Sequence, residues 1–375
     1  MTPAARLPGG PWQGWDFWKA IAVAAVTLFA GFLLIQTPPA RAVFDFVAFC
    51  LAACATFVLN LAGHDMVRTG AEIRDIITGH AVVVTSACDG SGLFVSLSAA
   101  LVLLTFGKVR PSWAVSAATA IGSILLFNLL RILALFQAVG SPRLMSAEHL
   151  YVAPLLSAVL VAGLALFARR IPPNAPLRSA AVATALAVGW YFCRQPITCA
   201  AVVPLANGLL WLSPSGVAAS IACNGTAELI TNAPLHGGAG LLKVPFYPED
   251  FTLALPLILA SMALKPNPAF ILGGAIATLL MCTVGMTLAA ITSGHDAAAA
   301  AGVSVLKIGS IVEGYRAPGP VALSLLKAVQ DVVVHFNLFL LPVIFAVFPT
   351  RVEPDVQPAP AAGTPRRAGQ RRRRR

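Results

Sequence analysis

The sequence predicts an all-α fold, a polytopic membrane bundle of about nine transmembrane helices, on three observations. Of 375 residues, 58% are hydrophobic and 11% charged, with a mean hydropathy of +0.80, far more apolar material than a soluble core of this size needs. The apolar residues come in runs near the length of a membrane crossing, separated by Pro/Gly-rich or basic breaks. The basic residues collect at alternate breaks, the pattern that fixes orientation in a bilayer.

Taken in order, Trp12, Trp15 and Trp18 suit a membrane interface, and residues 1–42 form an N-terminal segment with the first span, 20–35. Further spans read at 43–62, 91–107, 112–137, 150–168, 179–193, 251–264, 269–293 and 331–348. The stretches 197–212 and 320–330 are also apolar but are broken by Pro or polar residues. The first span lacks a small-residue cleavage site and is followed by Thr37-Pro38-Pro39, so it does not read as a cleavable signal peptide.

Lys108 and Arg110, then Arg169, Arg170 and Arg178, then Lys265, and finally the arginine tail fall on one side if the spans alternate. That side should be the cytoplasm of a cell whose inner (plasma) membrane holds the chain. Loops 63–90, 138–149, 194–250 and 294–330 then face outward. Alternation also puts the N-terminus outside, despite Arg6 and Lys19. The tail, residues 351–375, reads as disordered, basic and cytoplasmic; its arginines suit anionic lipid headgroups. No nucleic-acid module, phosphate-binding loop or dinucleotide fingerprint is present, so neither nucleic acid nor a cofactor is expected.

Spans two to five and six to nine follow one plan, consistent with a degenerate internal duplication between residues 43–170 and 171–350. Ala87-Cys88-Asp89-Gly90 resembles Ala222-Cys223-Asn224-Gly225, and His149 and His335 both begin an inward span. Such repeats are common in transporters, so a transporter or polysaccharide-export component without peptidase activity is the alternative function. The seven cysteines contain no tight Cys-x-x-Cys pair, and no metal site is expected. Cys50 and Cys54 read as inert packing; Cys193, Cys199 and Cys223 face outward and could include a disulfide, whose pairing the spacing does not fix.

Chemistry concentrates in the first half. Cys88 opens span three, Arg131 lies toward the outer end of span four, and His149 opens span five, which brings the three to one level. At the start of a helix the dipole lowers a thiol pKa and favours the thiolate. An arginine in an apolar span is costly and usually faces the protein interior or a polar cavity. Each has a plainer reading: Cys88 as packing, His149 as a hydrogen-bonded interfacial side chain, Arg131 as a snorkelling residue or the ion-pair partner of Glu148. Together they compose a thiol acyl-transfer site, in which a thiolate attacks a carbonyl, an imidazole moves protons and a guanidinium stabilises the oxyanion.

Cys88-Asp89-Gly90, Asn128-Leu129-Leu130-Arg131 and His149, in that order, resemble the exosortase/archaeosortase family over residues 43–170. The resemblance implies a membrane cysteine peptidase or transpeptidase with Cys88, Arg131 and His149 as its catalytic set. It implies substrates that are secreted proteins bearing a C-terminal sorting tail, cleaved at the outer face through a thioacyl intermediate. The family's usual cysteine stretch is close to Cys-Ser-Gly-Leu, whereas this chain has Asp89 beside the thiol, a charge that opposes thiolate formation unless Arg131 or a protonated His149 offsets it. The second half, with no arginine in its span eight, reads as catalytically silent; its loop residues Asn232 to Gly238 and Phe246 to Asp250 are candidates for substrate contact.

Overall fold

A computed structural model describes residues 15–85, 88–105, 113–148, 152–168, 174–213, 216–224, 226–235, 240–246, 268–342 and 344. Among these residues, five helices are long and apolar enough to cross a membrane. They are α1 (Trp15–Ile35), α2 (Pro38–Leu61), α4 (Trp113–Ala138), α9 (Pro268–Ala300) and α10 (Pro320–His335), the last extended by a π-helical turn, Phe336–Leu340. Two shorter apolar helices, α3 (Ser91–Thr105) and α6 (Ala153–Ala168), correspond to the expected spans 91–107 and 150–168. The chain is thus a multi-pass helical membrane protein, with fewer long spans among the described residues than the nine expected from its apolar runs. The expected span 251–264 lies outside the described residues, as does the basic tail.

The helix α1 buries Ala20, Ala24, Leu28 and Phe32, one residue per turn, against α3. Small residues permit the close approach: a side chain on Gly31 would lie 2.7 Å from a Val95 methyl. Phe32 reaches the level of Gly92 through their shared neighbour His335, so the end of α1 meets the beginning of α3 and the two helices are antiparallel. Alternating crossings put the beginning of the first span on the Cys88 side; the packing puts its end there and Lys19 at the opposite end. Thr37, extended at ψ 144°, and Pro38 at the first helical position break α1 from α2. The buried face of α2, Ala48, Leu51, Ala52, Ala55 and Leu59, joins Ile132, Leu135 and Phe136 of α4 in a separate core.

The expected all-α class needs correction at the loops. Residues between α2 and α3 form an antiparallel meander, β1 (Met66–Thr69), β2 (Glu72–Asp75) and β3 (Ala81–Val83). Gly70, at φ +64°, opens the two-residue turn between β1 and β2, and alternation puts Met66, Ile73 and Val82 into the core with α2 and α4. A second meander, β4 (Ala218–Asn224), β5 (Thr226–Pro234) and β6 (Leu241–Pro245), follows α7 (Asn174–Ile197), a π-helical turn Thr198–Val202 and α8 (Val203–Trp211). Pro204, in the first turn of α8, has no amide to bond the carbonyl four residues earlier, inside the π-helical turn, which accounts for the irregular winding there. A hairpin, β7 (Val305–Ile308) and β8 (Ile311–Gly314), separates α9 from α10.

The two meanders are clamped to their preceding helices in the same way. Asn60 of α2 accepts from Met66 N at 2.7 Å and donates to Met66 O at 3.2 Å. Asn207 of α8 accepts from Ile221 N at 2.7 Å and donates to Ile221 O at 3.1 Å. A disulfide between Cys199 and Cys223 adds a covalent tie from the π-helical turn to β4. This resolves the pairing that spacing leaves open, with Cys193 free.

The last expected span, 331–348, begins earlier than its charge pattern suggests. The helix α10 starts at Pro320 and runs antiparallel to α9, joined by Lys327 to Asp296 at 2.8 Å, Thr292 to Gln330 at 2.6 Å and Asn337 to the Cys282 sulfur at 3.1 Å. Lys327 and Gln330, which break the apolar run in sequence, thus find polar partners on α9. The turn of α10 carrying His335 then lands on α3 beside the Cys88 turn.

Candidate active site

The site is built on the turn that leads into α3. Cys88 N donates to Thr85 O at 2.8 Å, and Asp89 Oδ1 accepts from Ser91 N at 2.8 Å, supplying the first turn of α3 with a side-chain cap. Gly90 sits at φ +85°, and a side chain there would come within 2.5 Å of the Asn128 amide nitrogen and 3.2 Å of Ile124. The backbone conformation and the neighbouring helix α4 therefore both require glycine. A side chain on Gly92 would lie 2.8 Å from His335 Nε2. Cys88 and Asp89 are 4% and 1% exposed, so this polar turn is enclosed rather than presented at the surface.

Burial pushes the Cys88 thiol above its ordinary pKa; the charge of Arg131 opposes this, and Glu148 and Asp89 reinforce it. The sign is opposite to the helix-dipole expectation, because the turn is desolvated and carries acidic neighbours. Burial likewise raises the Asp89 carboxyl, with the Ser91 hydrogen bonds and Arg41 acting against it. The Asp89 carboxylate is thus engaged in capping α3 while its charge still bears on the thiol.

Arg131 is one helical turn beyond Asn128 on α4, and α4 continues to a turn at Val139 and Gly140. The short helix α5 (Pro142–Ala147), capped by the Ser141 hydroxyl, then returns the chain toward Arg131. At its end Glu148 is half-buried; burial raises its carboxyl and the Arg131 charge lowers it. Arg131 therefore acts electrostatically on both Cys88 and Glu148. His149, the next residue, lies outside the described residues. Arg131 lies within electrostatic range of Cys88, and the chain returns within its range as far as Glu148.

The second half contributes His335. Its Nδ1 donates to the Asp331 carbonyl oxygen at 2.8 Å, its ring lies between Phe32 and Phe339, and its Nε2 faces the start of α3. Cys223 is held in the disulfide and Cys282 is bonded to Asn337. Of the loop residues proposed for substrate contact, Asn232 donates to Gly216 O and Phe246 is buried, whereas residues 236–239 and 247–250 lie outside the described residues. Glu228 pairs with Lys243 across β5 and β6. Among the described residues, no group of His, Cys, Asp or Glu could hold a metal ion.

Residues 12–143, about a third of the chain, match the model of the family described as transmembrane exosortase (Exosortase_EpsH). The match supports an exosortase assignment. It takes in α1 to α4, the first meander, Cys88, Asn128 and Arg131, and ends before Glu148 and His149. It begins earlier than the resemblance read from the motifs and takes in α1, which packs on α3. No curated protein and no solved structure matches the chain significantly.

Sequence reasoning passed over two neighbours of the exosortase-like turn. Asn128 was visible as part of the Asn-x-x-Arg stretch, and its three-residue spacing from Arg131 already put both on one helix face. His335 carried no such local signal, since its contact with Gly92 spans most of the chain.

Proposed function

We propose that this protein is an exosortase-type membrane cysteine peptidase or transpeptidase. The observation that supports the reading is that Cys88, enclosed at the head of α3, feels the charge of Arg131, and that both lie inside the family match. Glu148 lies within electrostatic range of the same guanidinium, and His149 follows it in the chain. Cys88 is the nucleophile, His149 the general base and acid, and Arg131 the cation that favours the thiolate and holds the oxyanion or orients the cleaved carbonyl.

The reaction begins with a neutral thiol, whose proton passes to His149 as sulfur attacks the scissile carbonyl carbon. The carbon–sulfur bond forms, the carbonyl electron pair moves to oxygen, and collapse expels the amine, which takes the proton from His149. The resulting thioester is resolved by water, giving proteolysis, or by an amine or lipid headgroup, giving transfer. The substrates are secreted proteins with a C-terminal sorting tail consisting of a short motif, a transmembrane helix and a basic end. The enzyme resides in the plasma membrane with this site at its outer face. The second half is a degenerate copy that completes the site, a role supported by the repeated asparagine clamp and by His335 against Gly92.

The test is Cys88→Ala in the native host, following the molecular mass of a tail-bearing protein. The reading expects the tail to remain uncleaved in the variant. Unchanged processing would leave the transporter or export-component function as the better account.

A further inference from the structure

Three helix asparagines pack against the backbone of a neighbouring segment, and one of them is spent differently. Asn60 and Asn207 each use both amide atoms on the backbone of a strand. Asn128 is as deeply enclosed as any polar residue near the site, at 1% exposure, yet neither its nitrogen nor its oxygen is hydrogen-bonded to another described residue. Leaving a buried polar atom unpaired is costly, a cost that a ligand group arriving at the amide would remove.

Its position is as specific as its lack of partners. The amide nitrogen lies 2.5 Å from where a side chain at Gly90 would begin, two residues after Cys88. Arg131 follows one turn later on the same face of α4 and acts on Cys88. The missing side chain of Gly90 lets the amide pack directly against the thiol's own turn.

We propose that Asn128 is a further hydrogen-bond donor, beside the Arg131 charge, to the oxyanion formed when Cys88 attacks a carbonyl, a role that rests on the reading of Cys88 as nucleophile. As the carbon–sulfur bond forms, the displaced carbonyl electron pair collects on oxygen, which accepts from the Asn128 N–H. When the carbonyl re-forms and the leaving group departs with that pair's return, the hydrogen bond weakens. A neutral amide does this without withdrawing the Arg131 charge from Cys88 and Glu148. The carbonyl oxygen of the scissile bond is thus the group for which the buried amide is kept free.

Two probes that both consume the Cys88 thiol separate this role from a structural one. p-Nitrophenyl acetate acylates sulfur through a tetrahedral oxyanion and releases p-nitrophenolate; iodoacetamide alkylates it by displacing iodide and builds no oxyanion. Each is applied to the full chain in detergent at pH 9, and the Cys88 peptide is quantified by mass. The variants are Asn128→Leu, branched alike and without a donor, and Asn128→Asp, close in shape. The ratio of acylation to alkylation is expected to fall roughly 100- to 1,000-fold in both, the usual loss on removing an oxyanion-hole donor. A ratio unchanged from wild type would overturn the proposal, and so would a parallel loss of both reactions, which would make Asn128 a residue that merely holds the turn. Failure of wild-type Cys88 to take up either probe would instead defeat the nucleophile reading itself, and the proposal with it.

Discussion

Gly90→Ala is the substitution whose cost the geometry resolves into parts. The backbone there has φ +85°, a conformation that costs an L-residue about 1–2 kcal/mol. The new methyl would also sit 2.5 Å from the Asn128 amide nitrogen and 3.2 Å from Ile124. Overpacking of this kind costs about 1–3 kcal/mol. Against both, alanine loses less chain freedom on folding, worth about 0.4–1 kcal/mol. The net expectation is a destabilisation of about 2–4 kcal/mol, of which the overlap with Asn128 is the part that a second substitution can remove. In a cycle of Gly90→Ala, Asn128→Ala and the double variant, followed by reversible unfolding in mixed micelles, the coupling should be about 1–2 kcal/mol in the relieving direction. Additivity to within about 0.3 kcal/mol would refute the reasoning, because it would mean that Asn128 does not lie against the Cys88 turn.

The electrostatics of the thiol make further predictions. Replacing Arg131 by Met removes the charge that lowers the Cys88 pKa, so the pH profile of alkylation should move to higher pH and the rate at pH 7–8 should fall severalfold. Asp89→Asn removes a charge that raises the thiol pKa while keeping a residue that caps about as well; the profile should move to lower pH with α3 intact by circular dichroism. Because burial raises the Asp89 carboxyl in the folded state, the stability tied to its protonation is complete below pH 3.8 and lost as pH rises through the folded pKa. Asp89→Asn should therefore flatten the decline in stability over that window, read from unfolding midpoints across pH. The Cys199–Cys223 disulfide closes a 24-residue separation, worth about 3 kcal/mol in the chain-entropy account. Maleimide mass tagging of the denatured protein should leave two cysteines unlabelled until a reductant is added, and Cys223→Ser should lower the unfolding midpoint.

The parts of this molecule legible in its sequence are those encoded by local chemistry. Apolar runs announce helices in a membrane protein because each backbone polar group must be satisfied within the segment, and α1, α2, α4 and α9 lie close to their expected positions. Cys88 and Arg131 could be singled out because polar groups are rare and expensive in such runs. The strands were not legible: with three to nine residues each, their alternation is too short to stand out beside loops, although Gly70 and Gly309 mark two of the turns. The direction of α1 was misjudged because counting crossings ignores which faces fit; the Ala20, Ala24, Leu28 stripe and Gly31 decide it through contact with α3. The sign of the Cys88 shift depends on burial and on Glu148, sixty residues away, neither of which a helix-start argument contains. Asn128 and His335 owe their interest to Gly90 and Gly92, whose missing side chains are meaningful only once the neighbours are in place.

The central claim is that Cys88 carries the acyl group of a cleaved sorting tail. It is tested most directly by intact-mass analysis of the full-length protein, co-expressed with a tail-bearing secreted protein and quenched in acid during turnover. An adduct is expected on the Cys88 peptide that carries the substrate's new C-terminus, is released by hydroxylamine and is missing from Cys88→Ala. Cleavage of the tail with no such adduct, continuing at the wild-type rate in Cys88→Ala, would contradict it.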